Sequence, residues 1–280
     1  MPALDPAIRD ALEARLRFYR ELGLTDFYRR TTGVSEASST TELAAPSTTE
    51  TWVEEHEQNA DPSQETNPIP PRKSIAQPPA PAAPVAVQDR LSELKAIRED
   101  IGDCTRCALH KGRNKIVFAD GDPNARLMFV GEGPGADEDA QGLPFVGRAG
   151  QLLNNMIGAM GLNREQVYIA NVVKCRPPQN RTPEPDEANT CSPFLFRQID
   201  VVHPEVIVAL GATAATYLLG QRQPLAGLRG RVHPFRGSKL IVTYHPAFLL
   251  RDPRQKKEAW ADLQIAMREL GLKPPTKSAS

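Results

Sequence analysis

The sequence is poor in several things that would betray a class at once. Its 280 residues hold four cysteines and two tryptophans, and aromatic residues make up 6%. Disulfides are not expected among the four cysteines of a cytoplasmic chain, and a chain of this length can build an ample core without them. No run of about 18 apolar residues occurs, which excludes a helical membrane span. The opening MPALDPAIRDALEARL has no apolar block of the secretion-signal kind, so a cytoplasmic protein is expected. A phosphate-binding GxxxxGK motif is also missing. Net charge is zero, with 34 Lys+Arg against 34 Asp+Glu. That balance hides an asymmetry. Residues 1–89 carry 8 Lys+Arg and 14 Asp+Glu, whereas residues 90–280 carry 26 and 20. The basic second part suits nucleic acid, and equally many enzymes of neutral substrates.

What is present divides the chain into four. Within residues 1–32, Ile8, Leu12, Leu16 and Tyr19 recur at helical spacing, which reads as a marginal surface helix or a docking helix for a partner protein. Residues 33–89 are rich in Ser, Thr, Pro and Ala and read as a disordered linker, since they bury too little apolar surface to offset ordering entropy. Residues 90–273 alternate strand-length apolar runs (126–130, 167–173, 205–211 and 239–245) with helical patterns (149–161, 186–200, 212–220 and 256–271). The expected fold is α/β, a three-layer αβα arrangement around a mostly parallel sheet. A short tail, 274–280, reads as disordered.

In such sheets ligands sit beyond the carboxyl ends of the strands. Residues 131–135, 171–175, 211–212 and 244–246 fall there. The first of these opens GEGPGADEDAQGLPFVGRAGQLL, which combines Gly131, Gly133 and Gly135 with Glu132, Asp137, Glu138, Asp139 and Phe145. It matches a dinucleotide G-x-G-x-x-G/A template only loosely, because Pro134 and Gly135 oppose an immediate helix and none is expected before about residue 148. Bare glycine backbone also lets N–H groups approach a ligand closely. Paired carboxylates would suit glycosidic chemistry, although Asp137 and Asp139 read as a solvated turn. Asn171 presents a donor and an acceptor in one plane, fit to read the edge of a base or amide. His245 ends the last strand, with Pro246 fixing the chain direction after it. Phe145 is either core or a stacking platform.

Cys104 and Cys107 form a C-x-x-C, followed at long range by Cys175 and Cys191. A thioredoxin-like redox C-x-x-C is one reading, although Cys104 precedes a Lys/Arg-rich segment rather than following a first strand; a metal site using all four leaves no cysteine over. The spacing fits neither a zinc ribbon nor a compact ferredoxin run, so zinc and an iron–sulfur cluster both remain open on spacing alone.

Five pieces together resemble the family 4 uracil-DNA glycosylases, the iron–sulfur type of bacteria and archaea. They are CTRC (104–107), the 131–153 stretch, NVVKCRPPQNRTP (171–183), Cys191 and YHPAFLLR (244–251). The resemblance covers about residues 90–272. It implies a 4Fe-4S cluster on Cys104, Cys107, Cys175 and Cys191, and hydrolysis of the N-glycosidic bond of a uracil flipped out of DNA. In that reading His245, Glu132 and Asn171 are catalytic. Phe145 stacks on the base, Asn171 reads its polar edge and rejects cytosine, and His245 faces the carbonyl nearest the breaking bond. Glu132 and Gly133 line the pocket mainly through backbone, and Glu138 crowds out thymine's methyl. Leu249 fills the gap left by the flipped base, and Arg251 and Arg176 contact phosphate, with Arg148, Lys174 and Arg181 as further contacts.

Related glycosylases of another family carry a water-activating Asp where Gly133 stands. Here Glu132 or Glu138 replaces it, or water attacks a sugar cation that needs little activation. A relative that traps DNA through a histidine in an Arg-Arg-Ile-His loop differs as well, because RPPQNRTPEPDE (176–187) has no histidine. The enzyme is expected to act as a monomer. A cluster-bearing DNA-binding module tethered to a polymerase is the rival reading, and a flavin- or nucleotide-binding redox protein a third.

Overall fold

The computed structural model describes residues 74–273. The proposed N-terminal helix, most of the linker and the tail lie outside the described residues. The strands are β1 (Asp120–Gly121), β2 (Leu127–Gly131), β3 (Tyr168–Asn171), β4 (Val206–Leu210), β5 (Val232–Phe235) and β6 (Ser238–Thr243). The α-helices are α1 (Arg90–Ile101), α2 (Ala136–Gln141), α3 (Arg148–Ala159), α4 (Pro185–Val202), α5 (Ala212–Leu219), α6 (Leu225–Leu228), α7 (Pro246–Arg251) and α8 (Lys256–Glu269).

The sheet order is β1-β3-β2-β4-β6-β5. The four inner strands run parallel and the two edge strands antiparallel. The parallel strands were readable because both their faces are covered. Each has an apolar run at its centre, and successive side chains alternate between two cores. Met128, Val130, Ile207 and Ala209 point toward α1, α4 and α5. Leu127, Phe129, Val206 and Val208 point toward α3, α7 and α8. Burying each such side chain contributes about 1.5–3 kcal/mol, so the inner sheet is a rigid platform and its carboxyl edge is a fixed line of residues.

Three expectations need correction. A helix does open before residue 148: α2 starts at Ala136, directly after Gly135. Glu138 makes this feasible by turning back, its Oε2 accepting from Gly135 N–H at 3.0 Å, which offsets the lost end of the ladder as an N-terminal capping carboxylate does. Asp139 is no solvated turn residue. It is fully buried, and its carboxylate accepts from Asn114 N–H (2.8 Å) and Asn114 Nδ2 (2.6 Å).

The third correction concerns the linker. Residues 74–85 are laid in extended form on the domain, and the domain therefore begins at least as early as Ser74. Asn189 on α4 grips this strap twice, accepting from Ala76 N–H and donating to Ser74 O, each at 3.0 Å. Gln77 Nε2 donates to Gly220 O (3.1 Å), Asp200 Oδ2 accepts from Ala82 N–H (3.1 Å), and Arg236 donates to Pro79 O. Gly220, in left-handed backbone at φ +68°, ends α5 where a Cβ would press 2.6 Å from Pro78 Cδ.

Candidate active site

The carboxyl tips of β2, β3 and β6, with the loops that follow them, enclose a cavity of about 420 Å³. That is within the usual size of a small-ligand site. Glu132, Gly133, Glu138, Phe145, Asn171, His245 and Arg251 all border it. Seven of the residues singled out from sequence thus face one hollow.

Asn171 is the last residue of β3 and is 1% exposed. Its Oδ1 is buried without a hydrogen-bond partner. A buried orphan acceptor costs roughly 1–3 kcal/mol, and the residue that carries it borders the cavity. Opposite it, Gly131 must be glycine. A Cβ there would overlap Asn171 Oδ1 and come within 2.5 Å of Phe145 Cζ.

Phe145 is buried and holds a left-handed backbone at φ 52°, a conformation that costs a non-glycine residue energy and marks functional loops. Its loop is tied down on several sides. Arg164 donates to Pro144 O (2.6 Å) and Phe145 O (3.0 Å). Glu138 Oε1 accepts from Val146 N–H (2.9 Å) and Gly147 N–H (3.1 Å). Both carboxylate oxygens of Glu138 are therefore occupied by backbone donors. Glu138 shapes the pocket by holding the Phe145 loop.

His245 caps α7, its Nδ1 accepting from Ala247 N–H at 3.1 Å. An Nδ1 that accepts has no proton, so the neutral ring carries its hydrogen on Nε2. Burial, with Arg251's cation adding to it, pushes its pKa down to about 4, so the ring is neutral at physiological pH. Its centroid lies 5.5 Å from that of Phe145, with the planes tilted by 33°.

Glu132 contributes more than backbone. Its Oε2 accepts from Thr213 Oγ at 2.5 Å, and burial raises its carboxyl's pKa despite that hydroxyl. Thr213 was not legible as a site residue; its only signal was a place near the start of the helix after β4. Gly133 is crowded on its side-chain face, where a Cβ would sit 2.6 Å from Val173 Cγ2. Since Val173 is buried, an aspartate at that position does not fit without moving the core.

The basic residues part company. Arg251 is exposed and borders the cavity. Arg181 also borders it, but its charge is already paired bidentately with Glu187 (2.8 and 2.7 Å). Arg176 lies outside the cavity lining and donates to Asn180 Oδ1 at 2.8 Å. Lys174 is no phosphate contact at all: it is 1% exposed.

Leu249 also departs from expectation. It is fully buried in the core shared by α3, α7 and α8, because one turn of helix from Pro246 swings it inward. The residues of α7 that border the cavity are Ala247, Phe248 and Arg251, with Phe248 stacked on Tyr244 at 5.1 Å. Leu249→Ala should therefore cost about 2–5 kcal/mol of stability. Equilibrium urea unfolding measures this, and a variant as stable as the parent would return Leu249 to the surface.

The four cysteines converge as their pattern required. Cys104, Cys107, Cys175 and Cys191 line one small cavity with Ile101, Ile116 and Phe194. Burial raises the pKa of Cys107 and Cys175 and pushes that of Cys191 up to about 12. Thiolates there need cationic company to form. Two donors already aim at the sulfurs: Lys174 N–H to Cys191 Sγ (3.3 Å) and an Arg113 guanidinium N–H to Cys175 Sγ (3.5 Å). Among the described residues no three His, Cys, Asp or Glu side chains are grouped to hold a single metal ion, nor is any helix long and apolar enough to cross a membrane.

The family model of the Uracil DNA glycosylase superfamily matches residues 118–264. A Type-4 uracil-DNA glycosylase of Thermotoga maritima is 47% identical over 161 residues, covering 57% of this chain and 84% of that protein. Proteins of the same name from Sulfurisphaera tokodaii and Archaeoglobus fulgidus are 43% and 40% identical. Each match spans 66% of this chain, and 87% and 98% of the respective relative. The fold, the pocket at the strand tips and these matches agree, and the chain belongs to the uracil DNA glycosylase superfamily.

Proposed function

We propose that this protein excises uracil from DNA by hydrolysing the bond between N1 of the base and C1′ of deoxyribose. The observation that carries the reading is one pocket bordered together by Phe145, Asn171 and His245, with the Oδ1 of Asn171 left without a protein donor among the described residues. A flipped uracil presents N3–H to that oxygen and O4 to the Nδ2 of the same side chain. Cytosine presents an unprotonated N3, so two acceptors face each other and the base is rejected. Stacking on Phe145 returns part of the few kcal/mol that unstacking the base costs.

As the C1′–N1 bond breaks, its electron pair moves onto uracil and gathers partly at O2. The Nε2–H of neutral His245 is placed to donate there, as a fixed dipole that needs no reorganisation. Positive charge grows on the sugar. Glu132 is the pocket carboxylate whose Oε1 has no donor among the described residues, so it can orient the water that adds to C1′ and stabilise the cation beside it. The attacking water loses a proton to solvent and the uracil anion takes one up from solvent, so the products are uracil and an abasic site. Arg251 at the rim suits a DNA phosphate.

The cysteine set fits a 4Fe-4S cluster. Four thiols share one enclosure, backbone and guanidinium N–H groups aim at sulfur, and the ligands are spread more widely than a single ion gathers them. Bound there, the group supplies a cross-link joining the 104–113 segment, the end of β3 and α4. We place the enzyme in the cytoplasm, as a monomer on DNA, with the helix expected within residues 1–32 as a docking segment for a protein partner.

The test is direct. The protein is incubated with an oligonucleotide holding one uracil, and abasic sites are cut with alkali. Cleavage at uracil with none at thymine is expected. DNA binding without abasic product would leave a binding module in place of an enzyme.

A further inference from the structure

Lys174 is the least expected cation in the domain. It is 1% exposed. Its Nζ donates to Asn171 O at 2.9 Å and to Gln198 Oε1 at 2.5 Å, and lies 6.0 Å from the Phe118 ring centroid. All three neighbours are uncharged, and no carboxylate among the described residues pairs with it. An ammonium taken out of water without a counter-charge is strongly disfavoured. A nearby counter-charge offsets that cost.

The candidate for it is the cysteine cavity. Lys174 lines it, and its backbone N–H donates to Cys191 Sγ. Four thiolates around a 4Fe-4S core carry more negative charge than the core cancels, so the loaded site is anionic. The cavity's other cation, Arg113, already has a carboxylate partner in Asp103. Lys174 has none. Gln198 fixes the direction of the ammonium in turn. Its Nε2 donates to Phe118 O (3.3 Å) and Tyr168 Oη (3.2 Å), which leaves Oε1 facing Nζ.

We propose that Lys174 is a positioning residue that joins the two sites of this protein. Its ammonium is the buried counter-charge of the four-cysteine cavity, and its hydrogen bond to the Asn171 carbonyl sets the carboxamide that reads the base. The second half rests on the uracil reading above; the first half does not.

Two variants of the full chain separate the halves. Lys174→Gln keeps a donor for Asn171 O and loses the charge, whereas Lys174→Met loses both. Two quantities are read: iron retained per chain during challenge with a chelator, and the ratio of excision rates on uracil and cytosine. Both variants should lose iron faster by about 10–100-fold, the range seen when a supporting residue around a metal site is removed. Only Lys174→Met should collapse the base preference, by about tenfold or more. Wild-type iron retention in Lys174→Met overturns the counter-charge, and wild-type base preference in it overturns the positioning.

Should neither variant fold, Gln198→Met serves, since it borders neither pocket. It should keep its iron and lose base preference; unchanged preference there also sinks the positioning role. A wild-type protein that leaves uracil in place would defeat the uracil reading, while iron retention still decides the counter-charge.

Discussion

Asn171→Asp excises uracil about 100–1000-fold more slowly than the parent and begins to excise cytosine. The size is that of losing one preorganised donor from a site that stabilises developing charge. The direction follows from the geometry. Asn171 is buried at the end of β3 with Gly131 cleared away in front of it, so an isosteric carboxyl group fits without disturbing the fold. The carboxamide offers Nδ2–H to uracil O4 and Oδ1 to N3–H. An ionised carboxylate keeps the second contact and turns the first into two opposed acceptors. Cytosine carries an amino donor where uracil carries O4, so the introduced aspartate pairs where asparagine clashed. Burial also lifts the pKa of the introduced carboxyl, and the protonated form donates to cytosine N3. Excision rates on matched uracil and cytosine oligonucleotides measure the change. An unaltered ratio of the two would remove Asn171 as the reader of the base.

The sequence made this site legible because its parts sit where local pattern is strong. Apolar runs marked β2, β3, β4 and β6, and strand ends in a parallel sheet share one edge, so Asn171 and His245 were placed at the same edge before any coordinate. The cysteine pattern worked for a different reason: few residue types leave so small and so even a remainder. The failures have physical causes as well. The strap at 74–85 reads as linker by composition, and its anchors Asn189, Asp200 and Arg236 lie 113 to 157 residues away. Nothing local announces them. Edge strand β5 contains Pro234, and at a sheet edge the missing N–H costs no ladder bond. Lys174 sits in a run with Arg176 and Arg181 that reads as basic surface, yet β3's trajectory carries it into the interior. Leu249 was placed by likeness to a loop, while the helical turn that begins at Pro246 decides where its side chain goes. The strap and Lys174 are tertiary contacts overruling a local signal.

His245→Ala lowers excision by about 100–1000-fold, again the worth of one aligned donor, and the pH profile of the parent identifies which form of the ring acts. The His245 pKa is held down to about 4 by burial first and by Arg251 second. The folded protein therefore keeps the ring neutral where an exposed histidine would titrate near about 6.5. Between those two values the unfolded chain binds a proton that the folded chain does not. This group's contribution to stability is thus complete above about pH 6.5 and lost as pH falls toward 4. Excision should follow the same neutral form, staying flat from about pH 6 to 9 with no limb near 6.5. Protonation would place a second hydrogen on Nδ1, break its bond from Ala247 N–H and unseat the start of α7. His245→Gln adds a check. Its amide can still donate one hydrogen bond but does not titrate, so it should recover part of the loss without altering the flat profile. Kinetics on a uracil oligonucleotide under single-turnover conditions resolve all of this. An acid limb near 6.5 in the parent that vanishes in His245→Gln would mean the reacting form is the imidazolium, and the neutral donor at O2 would have to be abandoned.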